Sequence, residues 1–494
     1  MNRILIAFIG SVLLFAAFAY VLFREGQPAS VDGERPIMLF CAASNRAVME
    51  AIRADYENEF HRRVEIQYGP SQTLLSSIEV SKSGDLYLPA DDSYLTMATD
   101  KALVEEILPI ARMQGVIAVQ TGNPKSIESL SDLVGSDIQF VQANPDAAAI
   151  GKLARKVLGE AGNWVKVDKA TTAYHTTVTD VARDIEVGAA DAGIVFDAVL
   201  HTFDNVEYVE LPDLKDVAAQ ISIGVISSTK NSQAALHFAR YVSAKDRGLK
   251  RYKEFGFRVE GGDQWSDSPE LEVYAGSMLR PAIEDTIAQF QEREGVTVNC
   301  IYNGCGILVG QMKTGAVPDA YFACDLEFMN QVQDLFLEPT SVSQNELVIL
   351  VQKGNPHNIA SLRDLTKDNL RVGIGHAKQC AMGWITQNTF REGGLHKEIM
   401  ANVDTEVPTG DLLVNQIRAG SLDAAVAYLS NAAGSAEFLD AVKIRGIKCS
   451  TATQPWAVAA QSKYPETAGR LFQQICSAES KETFAAEGFR WKAE

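Results

Sequence analysis

The chain repeats itself once. Residues 121–133, TGNPKSIESLSDL, return as KGNPHNIASLRDL at residues 353–365, an offset of 232. The same offset joins VGAADAGIVF, ending at Phe196, to AGSLDAAVAY, ending at Tyr428, and EFGFR around Gly256 to AEGFR around Gly488. Two earlier segments match with slightly larger offsets. CAASNRAVMEAI meets YAGSMLRPAIEDTI, with Ser44 on Ser277, and SGDLYLPADDSYL meets VPDAYFACDLEFM, with Asp85 on Asp319. Five matches in one order are the mark of a duplicated domain. A solenoid repeat recurs every ~20–50 residues and more than twice. The expected division is a membrane anchor or signal segment over 1–24, a linker over 25–36, a first domain over 37–262 and a second over 269–494. Between the two lies GGDQWSDSP, a turn-rich stretch.

The second unit shows the local pattern most clearly. LEVYAGS reads as a strand. RPAIEDTIAQFQEREG reads as a helix, because Ile283, Ile287 and Phe290 fall on one face and Gly295 ends it. VTVNCIYN, DAYFACD, ELVILVQ and LRVGIGH are apolar strand-like runs separated by turns and helical patterns. Strands alternating with helices predict an α/β unit with a central, mainly parallel sheet covered on both faces. In such sheets ligands bind beyond the carboxyl ends of strands, where helices begin.

Composition narrows the partners. The net charge of -18 argues against nucleic acid, which needs clustered Lys and Arg. It leaves room for a small anion in a neutral cleft lined by backbone N–H groups. Residues 4–23 form an uncharged apolar run, long enough at about 1.5 Å per residue to span a bilayer core of roughly 30 Å. The expectation is a helix anchoring the chain at the periplasmic face of the inner membrane, or a cleaved signal that releases it to the periplasm. Seven Cys, six of them in the second unit, form no CxxC pair and no zinc-finger spacing. The His residues are scattered, with no metal-binding spacing. No nucleophile elbow, phosphate loop or dinucleotide fingerprint occurs, so neither an enzyme nor a cofactor is expected.

The element order, with Ala42-Ala43-Ser44, Gly69-Pro70-Ser71, Pro89-Ala90-Asp91 and Asp191-Ala192-Gly193-Ile194-Val195-Phe196 in the first unit, resembles the periplasmic molybdate-binding proteins of ABC transporters. The second unit carries Ala275-Gly276-Ser277, Gly304-Cys305-Gly306, Pro318-Asp319-Ala320-Tyr321-Phe322 and Asp423-Ala424-Ala425-Val426-Ala427-Tyr428. The resemblance implies two tandem domains of the type II periplasmic-binding-protein fold. Each would have two lobes closing over a dehydrated tetrahedral oxyanion such as molybdate or tungstate, delivered to an ABC permease. It implies neutral ligand contacts: Ser hydroxyls, a Tyr hydroxyl and backbone N–H groups at helix starts. Carried over, these are Ser44, Ser71, Ala149, Ile150, Thr177, Val178 and Phe196 in the first unit. In the second they are Ser277, Gly304, Cys305, Gly306, Cys380, Met382, Thr409, Gly410 and Tyr428.

Both sets depart from that pattern. Phe196 lacks the hydroxyl, Pro70 lacks an N–H, and Cys305 puts a weak S–H donor where a hydroxyl would stand. A membrane-tethered binding or sensing module for another small anion is therefore an alternative. So is a thiol-redox protein using Cys305 and Cys380, with Cys305 at a helix N-terminus that favours the thiolate. Cys300 and Cys324, on strands, read as core. Asp191 and Asp423 read as structural turn residues.

Overall fold

A computed structural model describes residues 35–135 and 137–493. The expected membrane segment lies outside the described residues. Among those, no helix is long and apolar enough to cross a membrane.

The duplication is visible as two α/β units, each with its own hydrophobic core. The first contains β1 (Ile37–Ala42), β2 (Val64–Gly69), β3 (Leu86–Leu88), β4 (Val104–Gln120), β5 (Phe140–Ala143), β6 (Thr171–His175), β7 (Ala192–Phe196), β8 (Val206–Val209) and β9 (Ala218–Ile226). Their order is β2-β1-β3-β9-β4-β7-β5-β6, with β8 also on β4. The second contains β10 (Glu270–Gly276), β11 (Thr297–Asn303), β12 (Ala320–Phe322), β13 (Thr340–Gln352), β14 (Val372–Gly375), β15 (Val403–Val407), β16 (Ala424–Tyr428), β17 (Leu439–Lys443), β18 (Thr451–Val458) and β19 (Arg490–Trp491). Their order, β11-β10-β12-β18-β13-β16-β14-β15, repeats the first.

The sheets are mixed, which corrects the expectation of a mainly parallel one. β1 runs parallel to β2 and β3, and β5 runs parallel to β6 and β7. These two parallel triples are the two lobes. β4 leaves the first lobe and ends in the second, pairing antiparallel with β9 through Gln114 and with β7 from Gly115 onward. The chain must come back along the strand that took it out, so β9 lies antiparallel to both β3 and β4. β13 and β18 do the same in the second unit. Pro455 sits inside β18 opposite Ser341, at the irregular point of the β13–β18 ladder, where a missing donor is tolerated.

The helix at Arg280–Glu294 forms where the spacing predicts, buries Ile283, Ile287 and Phe290, and stops at Gly295, whose φ of 66° suits glycine. Its last carboxylate joins the units. Glu294 is buried with Arg470 of its own unit and Arg240 of the first. Arg470 Nε and Nη2 donate to its oxygens at 2.6 and 3.0 Å, and Arg240 donates to its backbone carbonyl. Burial alone would raise the Glu294 pKa, but Arg470 and Arg240 hold it below the ordinary carboxylate value. Arg293 pairs with Glu105 and Glu106 of the first unit, and Gln233 Nε2 donates to Glu292 O at 2.6 Å. In the linker, Asp263 accepts from the backbone N–H groups of Glu466 and Thr467 at 2.7 and 3.0 Å.

Candidate functional site

Each unit has a small cavity where its lobes meet. In the first, Ser44, Ser71, Ala149, Ile150, Thr177, Val178 and Phe196 line it together, along with Pro70 and Ala90. They arrive by one device. The turn after β1 presents Ser44, and helices beginning at Ser71, Ala149 and Val178 aim their first turns inward. A helix start leaves N–H groups without intrahelical partners and carries partial positive charge. Thr177 caps its helix, accepting from Asp180 N at 3.2 Å. Ser71 Oγ accepts from Ala90 N at 3.1 Å.

The second cavity gathers Ser277, Gly304, Cys380, Met382, Thr409, Gly410 and Tyr428 in the same way. The helices begin at Cys305, Ala381 and Gly410, with Gly304, Cys380 and Thr409 at their caps. The structure also supplies wall residues that the sequence reading missed, among them Asn303, Cys324 and Asn431. Asn431 could have been found three residues past Tyr428, where its Oδ1 accepts from Tyr428 N at 3.2 Å. The Tyr428 hydroxyl is buried without a hydrogen-bond partner.

Three expectations need correction here. Cys305 and Gly306 do not line the cavity. The Cys305 side chain turns back into the core, and Gly306 N–H crosses to the other lobe, donating to Gln379 O at 2.9 Å. The sulfur beside Cys305 belongs to Cys324, at 2.8 Å, whereas Cys380 Sγ lies 3.7 Å from Val407 O. Burial pushes the Cys380 thiol up to about 12. Finally, Ser44 and Ser277 are not structural counterparts. β1 and β10, and the turns after them, superpose with an offset of 234, so Ser277 falls on Ala43 and Ser44 on Met278. Each unit offers a serine from the same turn, one position apart.

The lobes are closed. In the first unit Gln72 N–H donates to Ala147 O at 3.2 Å and Thr179 Oγ1 to Ala43 O at 3.4 Å. The second unit is tighter. A Cβ on Gly306 would sit 2.0 Å from Lys378 O, and one on Gly304 would sit 2.5 Å from Gln379 O. Each cavity measures about 20 Å³. A single ordered water needs roughly 10–15 Å³ on that measure. With the lobes in this position there is room for a compact ligand. No charged side chain lines either cavity.

The acidic and imidazole groups nearby are structural. Asp191 accepts from Gln139 N at 2.8 Å. Asp423 is held below the ordinary carboxylate range by the hydrogen bond from Arg371. His175 faces Asp184, and His376 Nδ1 accepts from Lys378 N. Among the described residues no three His, Cys, Asp or Glu converge as a metal site.

Two lobes joined by crossing strands and shut over a compact neutral cavity define a solute-binding protein, here in two tandem copies. The chain belongs to the bacterial extracellular solute-binding protein family, whose model matches residues 37–258 and again 271–490. Among curated relatives, the molybdate-binding protein ModA of Mycobacterium bovis is 27% identical over 221 residues, covering 44% of this chain and 83% of the relative. ModA of Escherichia coli K12 is 21% identical over 263 residues, covering 51% and 97%. The solved periplasmic molybdate-binding protein of Azotobacter vinelandii is 16% identical, with a TM-score of 0.39, covering 46% of this chain and 100% of that one.

Proposed function

We propose that the chain is an extracytoplasmic binding protein for a small tetrahedral oxyanion, molybdate or tungstate, which it delivers to an ABC permease in the inner membrane. The observation that carries this reading is the ring of helix starts around each neutral cavity. An anion stripped of water needs donors on all sides. Orphan N–H groups supply them without a counter-charge that would bind too tightly for release. The names of the curated relatives point the same way. The residues proposed to contact the ligand are those lining the two cavities. An apolar run at residues 4–23 suits a tether to the membrane.

The test is thermal unfolding with and without molybdate, tungstate, sulfate and phosphate. A ligand at about 1,000 times its Kd stabilises the folded state by roughly 4 kcal/mol. A shift with molybdate and tungstate is expected. No shift with any of the four would overturn the oxyanion reading.

A further inference from the structure

The wall of the second cavity is backed by a pair of thiols that the first lacks, and three positions differ together to accommodate it. At the offset of 234, Cys305 stands where the first unit has Ser71, and Cys324 where it has Ala90. The backbone bond is conserved in both units: Ala90 N–H donates to Ser71 Oγ at 3.1 Å, and Cys324 N–H donates to Cys305 Sγ at 3.1 Å. The third position is Gly276, the counterpart of Ala42. A Cβ there would lie 2.0 Å from Cys324 Sγ and 3.2 Å from Cys305 Sγ, so only glycine leaves space for both sulfurs. The sulfurs are 2.8 Å apart. Beside them, the buried hydroxyl of Tyr321 faces the Cys305 thiol, whereas its counterpart Tyr87 donates to Ser71 O at 2.8 Å. Cys305 is fully buried, but Cys324 forms part of the cavity wall.

We propose that Cys305 and Cys324 form a redox-active dithiol that closes to a disulfide by exchange with a small-molecule disulfide reaching the second cavity when its lobes part. The reaction has two displacements. Cys324 passes its proton to Cys305 Sγ as it attacks one sulfur of the incoming disulfide, forming a mixed disulfide and releasing one thiolate. That thiolate takes the proton from Cys305, which then attacks Cys324 Sγ, forms the internal bond and expels the second thiolate. The protein loses two electrons and two protons, and the small disulfide takes them up to become two thiols. Bond formation requires the sulfurs to approach from 2.8 Å to about 2.05 Å. The thiolate is available because each sulfur can accept from the other's S–H. Burial alone would raise Cys305, but the bonds from the Cys324 thiol and N–H more than offset it, while Cys324 is raised as the partner that keeps the proton. The chemistry is independent of which ligand, if any, the second cavity binds.

The experiment treats the full chain with bis(2-hydroxyethyl) disulfide, quenches with acid, alkylates under denaturing conditions and maps the peptides by mass. Cleavage after Tyr302 and Lys313 separates Cys300, Cys305 and Cys324. In the unmodified chain a Cys305–Cys324 cross-link is expected, reversed by dithiothreitol. Cys305→Ser should instead accumulate the mixed disulfide on Cys324, because the resolving thiol is gone. Cys305→Ser combined with Cys324→Ala recreates the first unit's pair and should unfold at a temperature close to that of the reduced parent. The proposal fails if both cysteines are recovered alkylated while the part-exposed Cys476 has reacted. It fails equally if Cys305 is found joined to Cys380, or if the adduct on Cys324 persists in the unmodified chain.

Discussion

The two cavities share one backbone, a serine from the first turn and a capping threonine (Thr177 or Thr409), and differ in the other side chains that could donate a hydrogen bond. Both place helix starts around about 20 Å³ of space. The first has Ser71 on its wall and Phe196 where a hydroxyl would reach inward. The second has an unpartnered Tyr428 hydroxyl, with Cys305 turned away behind the wall. The first closes through a bond from Gln72. The second closes through Gly306, at a distance no Cβ would permit. What the duplication preserved is the set of N–H groups, which any sequence forming these helices supplies. What diverged is the side-chain inventory. The copies hold the same electrostatic frame with different walls.

The comparison can be broken most forcefully by separating the units. Glu294→Gln leaves Arg240 and Arg470 buried without their counter-charge, a change that costs about 3–5 kcal/mol. Calorimetry should show a lower first transition and a split of one unfolding event into two. An unchanged profile would mean the triad does not couple the units. Next in size is Gly306→Ala, whose Cβ would meet Lys378 O. Overpacking of this kind costs about 1–3 kcal/mol, so oxyanion binding by the second unit should weaken roughly 10- to 100-fold. Gln72→Ala, at the matching place in the first unit, should leave affinity nearly unchanged. Equal losses in both, measured by titration calorimetry, would remove the distinction between the two closures.

Exchanging the hydroxyl sharpens the comparison further. Tyr428→Phe should weaken molybdate binding at the second site, and Phe196→Tyr should strengthen it at the first, each by roughly tenfold. A hydrogen bond to a charged group contributes about 1.5–3 kcal/mol, and some is spent ordering the ring. No change in either Kd would remove that hydroxyl from the site. The smallest effect is one of pH. Asp92, two residues past the cavity residue Ala90, is raised by burial to about 6 although Ser222 donates to it at 2.8 Å; the second unit has Leu326 there. Its folded pKa lies above its unfolded one. Its stabilising contribution is thus complete below about pH 4 and lost as pH rises through about 6. Asp92→Asn should flatten the unfolding midpoint of the first unit across that window, by about 1 kcal/mol or less given partial solvation. A slope that survives the substitution would assign the pH dependence elsewhere.

Much of this was legible in the sequence, for identifiable reasons. The repeat exposed the two units, and the apolar runs from Leu347 to Val351 and Ala424 to Tyr428 could only be buried strands. The cavity residues at helix starts were readable because turn and helix signals are local. The antiparallel return of β9 and β18 was not, since it depends on where the chain re-enters the first lobe after about a hundred residues in the other. Nor was the pairing of Cys305 with Cys324. That contact is set by the missing Cβ of Gly276, on β10, and spacing along the chain carries no trace of it. The one-residue slip between Ser44 and Ser277 arose because identical residue types invite alignment while strand register decides it.

The contacts between units described above (Glu294 with Arg240, Arg293 with Glu105 and Glu106, Gln233 with Glu292, Asp263 with Thr467) all lie on the first lobes. The second lobes, built on β5 to β7 and β14 to β16, take no part in them. The first lobes are thus tied together as one chassis, and none of these bonds restrains either second lobe, the jaw of its unit. A ligand shutting one jaw would break none of these bonds, so occupancy should follow the sum of two independent isotherms rather than a cooperative curve. With unequal jaws, such a chain responds across a wider span of solute concentration than either half could alone.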